Sequence, residues 1–187
     1  MSQQELLIRV IEVLDRLNAP YFITGSWASS LQGEPRATHD LDLVVALEAA
    51  MVVDLIAAFP PPEFYLSETA ATEAIHNRSM FNLLDNREGD KVGFWLVTDD
   101  PWDQARFSRR KPEPLFGRTV YVSTPEDTIL AKLRWVRLSG GSEKQFTDAL
   151  RVYEVQHGGL DTPYITMWAA ELDITDVWES VLRQAST

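Results

Sequence analysis

The sequence predicts a mixed α+β fold, in which a twisted mixed sheet of about five strands is flanked by helices and followed by a helical C-terminal part. Three observations carry that expectation. Short apolar runs bounded by turn residues recur at residues 21–24, 40–47, 80–85, 91–97 and 119–123, and runs of that length read as strands. Segments with apolar residues at helical spacing stand between them. From Thr124 onward every periodic segment is helical, so residues 1–123 are expected to form an α/β core and residues 124–187 a helical part packed on it.

The first helix opens on Ser2 and Glu5, the spacing of a capping box. Leu6, Leu7, Val10, Ile11, Leu14 and Leu17 follow at helical spacing until Asn18-Ala-Pro20 stops the run. Residues 21–24 form a short buried strand, 26–31 a short helix and 40–47 a second strand. Residues 48–59 read as a helix that ends at Pro60, Pro61 and Pro62, which can continue neither a helix nor a central strand and so mark a surface loop. A helix over 68–77 precedes strands 80–85 and 91–97, joined by the polar turn Asn86-Arg-Glu-Gly-Asp90, where Gly89 suits a tight hairpin. Residues 99–107 start a short helix and 119–123 return as a strand. Thr124-Pro-Glu-Asp127 then supplies a cap, a proline at the first helical position and acids in the first turn, for a helix running to residue 138. Helices over 142–157, 163–172 and 175–183 complete the chain, and Trp168 and Trp178 on them are assigned to core packing rather than ligand stacking.

With 187 residues, 45% apolar and 24% charged, the chain has a globular composition and enough length to bury one core. Cysteine is absent, which removes disulfides, thiolate metal sites and a cysteine nucleophile. His39, His76 and His157 are scattered, without zinc-site spacing. No segment approaches the ~20 apolar residues of a membrane span, and Met1-Ser-Gln-Gln-Glu5 lacks the basic start of a signal peptide, so a cytoplasmic location is expected. A net charge of −11 disfavours non-specific nucleic-acid binding, which needs clustered lysine and arginine. Residues 106–137 differ, with eight basic side chains against three acidic ones. Such a block either faces a polyanion or balances the acidic remainder.

One constellation carries chemistry. Tyr21-Phe-Ile-Thr-Gly25-Ser26 is followed, after one short helix's length, by Arg36-Ala-Thr38-His-Asp40-Leu-Asp42-Leu43. Successive strand residues point to opposite faces, so Asp40 and Asp42 share a face while Leu41 and Leu43 point into the core. Paired carboxylates suit hard cations such as Mg²⁺ or Mn²⁺, which sit on one or two protein carboxylates plus substrate phosphates. Gly25 and Ser26 offer backbone N–H groups and a hydroxyl at a helix N-terminus, where an anion is favoured. Taken singly, the aspartates could be no more than a solvated strand face and Gly-Ser no more than a turn. The combination in this order is more specific.

In that order the elements resemble the signature of the DNA polymerase beta-like nucleotidyltransferase superfamily: a hydrophobic strand, Gly-Gly or Gly-Ser, a short helix, then two aspartates around an apolar residue. Arg36, Thr38 and the run Leu43-Val-Val45 resemble small bacterial stand-alone members, including nucleotidyltransferase-like toxins of abortive-infection systems. The resemblance implies a nucleotidyltransferase-like sheet and Mg²⁺- or Mn²⁺-dependent transfer of a nucleoside monophosphate from an NTP to an unidentified acceptor. Asp40 and Asp42 would be its catalytic, metal-holding residues. Nucleotide contacts are implied for Gly25, Ser26, Arg36, Thr38, Lys132 and Asp148, and the toxin likeness implies an antitoxin partner. Lys132, in Pro125-Glu-Asp-Thr-Ile-Leu-Ala-Lys132, looks like the phosphate-facing lysine of abortive-infection relatives, and Asp148 like the aspartate on the following helix. The two could equally pair with each other. Arg109 and Arg110 are candidates for the acceptor side.

The sequence departs from that pattern at one position. Relatives of this type are expected to carry a third carboxylate in a Lys-Val-Asp-Phe-Trp-like strand, whereas this chain reads Lys91-Val-Gly93-Phe-Trp95. Alternation puts Gly93 on the face of Asp40 and Asp42 if the two strands are neighbours. Asp85, Asp90, Asp99 and Asp100 lie nearby in sequence without the strand phase of Gly93. Either a neighbour substitutes in space, or the enzyme is weakened, or the chain is a catalytically impaired module that binds a nucleotide or a protein.

Overall fold

In the computed structural model, which describes residues 1–186, one sheet is built from seven strands. These are β1 (Tyr21–Thr24), β2 (Asp40–Val45), β3 (Phe64–Leu66), β4 (Met80–Asp85), β5 (Lys91–Leu96), β6 (Lys111–Leu115) and β7 (Arg118–Val122). Their order across the sheet is β3-β4-β5-β2-β1-β7-β6. The five strands expected from the sequence are present, and β3 and β6 are additions at the two margins. β6 reads Lys111-Pro-Glu-Pro-Leu115, and proline cannot donate to a strand ladder, so its pattern hides a strand that only a margin tolerates.

The helices are α1 (Gln3–Arg16), α2 (Gly25–Gln32), α3 (Val52–Ala58), α4 (Glu68–Asn77), α5 (Pro101–Arg109), α6 (Pro125–Leu138), α7 (Glu143–Gln156), α8 (Thr162–Glu171) and α9 (Thr175–Gln184). No helix among the described residues is long and apolar enough to cross a membrane. The chain divides into two compact units, one of Met1–Ile23 with Thr38–Val122 and one of Thr24–Ala37 with the chain from Ser123 on.

In the sheet unit the capping box closes as expected: Glu5 N–H donates to Ser2 Oγ at 3.3 Å and Ser2 N–H to Glu5 Oε2 at 2.7 Å. The α1 stripe of Leu6, Leu7, Val10, Ile11 and Leu14 is buried, the one-sided pattern of a helix that packs on a core. β4 and β5 pair antiparallel around a turn where Gly89 takes φ +77°, a conformation glycine enters without cost. β5 then lies parallel to β2. Phe81 and Phe94 stack between β4 and β5 with centroids 4.9 Å apart, while Leu41, Leu43 and Val92 are buried beside them. Asp100 caps α5, its Oδ1 accepting from the N–H groups of Trp102 and Asp103 at 3.0 and 3.3 Å.

In the helical unit α2 packs against both α6 and α7. Gly33, at the end of α2, permits the approach: a Cβ there would stand 2.9 Å from Val152 N and 3.0 Å from the carbonyl carbon of Arg151. Thr124 caps α6, accepting from Asp127 N–H at 3.2 Å, and Asp127 Oδ1 accepts from the Tyr164 hydroxyl at 2.8 Å. Trp178 is in the core, edge-on to Tyr153, and its N–H donates to Thr166 Oγ1 at 3.3 Å; Trp168 is half-buried. Within the basic stretch 106–137, Arg106, Arg118, Lys132 and Arg137 hold acidic partners in Asp103, Glu12, Asp148 and Asp176. Balancing acidic neighbours is therefore one use the fold makes of that charge.

Candidate active site

Strand alternation places Asp40 and Asp42 on one face of β2, with Leu41 and Leu43 buried on the other. The parallel register sets Asp40 opposite Lys91, Asp42 opposite Gly93 and Val44 opposite Trp95. Gly93 therefore lies beside the aspartates, as alternation required of neighbouring strands. Lys91 Nζ rests 3.0 Å from Asp40 Oδ1, and Trp95 Nε1 donates to Asp42 Oδ1 at 3.2 Å. Thr38 is local to the pair, with the Asp40 N–H 3.4 Å from its Oγ1. On the far side of Gly93, Asn82 of β4 stands in register with it. The Asn82 Oδ1 is buried and has no hydrogen-bond partner.

A side chain at position 93 is what this face lacks. A Cβ there would meet Asp42 Oδ1 at 2.9 Å, Trp95 Nε1 at 3.4 Å and Asn82 Oδ1 at 3.7 Å. Neighbouring acids do not fill the position. Asp85 accepts from the Arg87 N–H at 3.0 Å, Asp100 caps α5, and Asp90 faces His39 at 3.6 Å. Among the described residues no group of three or more His, Cys, Asp or Glu side chains could hold a metal ion. Two carboxylates, an amide oxygen without a partner and the gap at Gly93 nevertheless form a set of hard oxygen donors of the kind Mg²⁺ and Mn²⁺ accept. Lys91 already places a positive charge against one of them.

The helical unit gathers the other expected residues. Gly25 takes φ +65° and opens α2, a conformation a Cβ would oppose, with Ser26 in the first turn. Arg36 donates from Nη2 to Ser26 Oγ at 2.7 Å, and its Nε and Nη2 fork onto the two Asp148 oxygens at 2.9 and 2.8 Å. Lys132 Nζ donates to Asp148 Oδ2 at 2.7 Å. Of the two uses left open for Lys132 and Asp148, pairing is the one observed. Burial pushes the Asp148 carboxyl up, but the hydrogen bonds and charges of Arg36 and Lys132 outweigh it and hold the carboxyl below its usual range. The Arg36 guanidinium is raised, chiefly by its hydrogen bonds to Asp148. Arg110 lies over the rings of Phe107 and Tyr121 and donates to the Phe107 carbonyl at 2.6 Å.

Sequence reasoning missed Lys91, Trp95 and Asn82. Alternation already put Lys91 and Trp95 on the face of Gly93, which was a usable signal. Asn82 was hidden because nothing in Met80-Phe-Asn82 says which strand lies beside it.

A family model for aminoglycoside-2''-adenylyltransferase matches residues 6–60, the segment holding Gly25, Ser26, Arg36, Thr38, Asp40 and Asp42. No curated protein matches the chain. Among solved structures the chain is similar to ANT(2'')-Ia in complex with adenylyl-2''-tobramycin, at 15% identity and TM-score 0.59, with 92% of this chain and 98% of that one covered. It is similar to an antigenic nucleotidyltransferase-like protein from Paracoccidioides brasiliensis, at 19% identity and TM-score 0.56, over 100% of this chain and 95% of that one. The lincomycin-bound lincosamide antibiotic adenylyltransferase LnuA shares 11% identity and TM-score 0.53 over 83% of this chain and 98% of that one. At such identities the likeness is one of fold. The chain therefore has a nucleotidyltransferase-like fold, and the segment matched by the family model carries its strand-borne aspartate pair.

Proposed function

We propose that the chain is a nucleotidyltransferase that moves a nucleoside monophosphate from an NTP to a hydroxyl or phosphate of an acceptor molecule. The observation that carries this reading is the carboxylate face of β2, where Asp40 and Asp42 stand side by side with Lys91 on the first. In the reaction the acceptor oxygen bonds to the α-phosphorus, the bond to the β-phosphate oxygen breaks, pyrophosphate leaves with the electron pair, and any acceptor proton passes to solvent. Asp40 and Asp42 would hold Mg²⁺ or Mn²⁺, which when bound neutralises phosphate charge and aligns the oxygens. Lys91, now paired with Asp40, would have to release it for a cation to be held there, while the Trp95 N–H fixes Asp42. Gly25 and Ser26 would take phosphate oxygens through the α2 N-terminus, with Arg36 supplying a further charge there and Thr38 a hydroxyl near Asp40. Asp148 and Lys132 serve as positioning residues that fix the Arg36 fork. The net charge of −11 suits a neutral or cationic small-molecule acceptor better than a nucleic acid.

A thermal-shift titration tests this reading. Mg²⁺ plus the preferred NTP at a hundredfold excess over Kd should add about 2.7 kcal/mol of stability. The Asp40→Asn, Asp42→Asn double variant should lose that gain, and labelled NTP should yield labelled acceptor and pyrophosphate only in the parent. An identical shift in the double variant would put the nucleotide elsewhere.

Gly93 favours a second reading, in which the chain binds nucleotide but transfers it poorly, since no carboxylate stands where the superfamily pattern has its third. Saturable NTP binding without label transfer to any component of a cell extract would select it.

A further inference from the structure

We propose that Asn82 completes the cation site, its amide oxygen serving as the third protein ligand where Gly93 supplies none, an inference that rests on the assignment of Asp40 and Asp42 to a divalent cation. The sheet register carries the argument. Asn82, Gly93 and Asp42 stand in one row across β4, β5 and β2. A missing side chain in the middle of such a row leaves its neighbours facing each other over a gap. The Asn82 Oδ1 and the Asp42 Oδ1 both lie within 4 Å of the point where a Cβ on Gly93 would stand. The Trp95 indole N–H closes the row on the Asp42 side.

Asn82 is placed for a ligand. Its Oδ1 is buried without a partner, and its Nδ2 makes only a 3.9 Å contact with Met80 Sδ. A buried acceptor without a hydrogen bond is disfavoured, so a carbonyl beside a gap between oxygen donors is well placed to meet a cation. Amide carbonyls are ordinary ligands for hard cations. The same oxygen would gain nothing from an anion, and the Lys91 ammonium lies on Asp40 instead.

The substitution has a chemical consequence. Two carboxylates and a neutral amide leave a bound divalent cation with no excess negative charge around it, one charge fewer than three carboxylates would give. An amide also cannot accept a proton from an acceptor hydroxyl. A site of this kind should bind its cation more weakly than a three-carboxylate site, and Asn82→Asp should restore the missing charge from the adjacent strand.

Mn²⁺ alone is the probe, titrated into the full chain and followed by the loss of the free-ion electron paramagnetic resonance signal. Asn82→Ala should weaken Mn²⁺ binding by roughly 10–100-fold, the range seen when a group that supports a metal is removed. Asn82→Asp, nearly the same shape with one more charge, should tighten it by at least a comparable step. Two results overturn the inference: a parent chain that leaves the Mn²⁺ signal untouched, or Asn82→Ala and Asn82→Asp binding as the parent does while Asp42→Asn binds less. In the second case Asp40 and Asp42 still hold the cation and only Asn82 is excluded. Undiminished binding by the Asp40→Asn, Asp42→Asn double variant instead overturns the cation site itself.

Discussion

Asp148 offers the sharpest test of how the helical unit holds its charges. Its carboxylate accepts from Arg36 at 2.9 and 2.8 Å and from Lys132 at 2.7 Å. Asp148→Asn keeps an oxygen and the side-chain shape but removes the negative charge, which leaves the ammonium of Lys132, at 3% exposure, without its counter-ion Asp148. Removing one member of a buried ion pair costs about 3–5 kcal/mol. In a chain of this size each kcal/mol moves Tm by about 2–4 °C, so the variant should melt roughly 6–20 °C lower at neutral pH. The pH dependence has a fixed sign. Because folding lowers the pKa of Asp148, the stability it contributes is complete above its unfolded value of about 3.9 and is lost as pH falls through the lower folded value. The gap between parent and variant should therefore narrow in acid. Urea unfolding followed by circular dichroism, stepped from neutral pH down through that window, measures it. A companion change, Lys132→Met in the Asp148→Asn background, should recover part of the loss by removing the charge that Asp148 balanced. An Asp148→Asn midpoint equal to the parent's at neutral pH, or a gap that stays constant into acid, would refute the reasoning.

Two further outcomes are expected. Gly93→Asp should raise metal-dependent label transfer from NTP by about 10²–10⁴-fold, the worth of one positioned acid–base group, once Asp42 Oδ1 swings away from the new Cβ at 2.9 Å; transfer that stays at the parent level would show that the role is already filled. Gly33→Ala should lower stability by about 1–3 kcal/mol, since its Cβ would press on the backbone of Val152 and Arg151 at 2.9 and 3.0 Å, and an unchanged urea midpoint would mean that α2 and α7 separate freely.

Local signals were legible in the sequence because each lives within a few residues. Ser2 and Glu5 announce their cap, Gly89 its hairpin, and Asp40 and Asp42 their shared face by period alone. What was not legible depends on partners far along the chain. β3 is three residues long, too short for alternation to register, and the prolines of β6 argue against a strand anywhere but at a margin. Alternation assigned Gly93 a face, yet only the register with β2 and β4 shows that Asp42 and Asn82 border it. Lys132 and Asp148 sit on separate helices, so their spacing in sequence could not decide between a mutual pair and a phosphate contact.

The two outermost strands also govern how the chain meets copies of itself. An uncovered strand is a template on which a second chain can continue the ladder, the first step toward fibres. Here one side ends in three residues, too few for a durable new pairing. On the other, Pro112 and Pro114 have the same strand parity, so both missing donors fall on a single side, which the outermost strand can present to solvent. Growth by strand addition is thereby starved at both ends. Crowded preparations of the native chain should stay free of cross-β material even at its isoelectric point near 4.7, where net charge no longer holds copies apart.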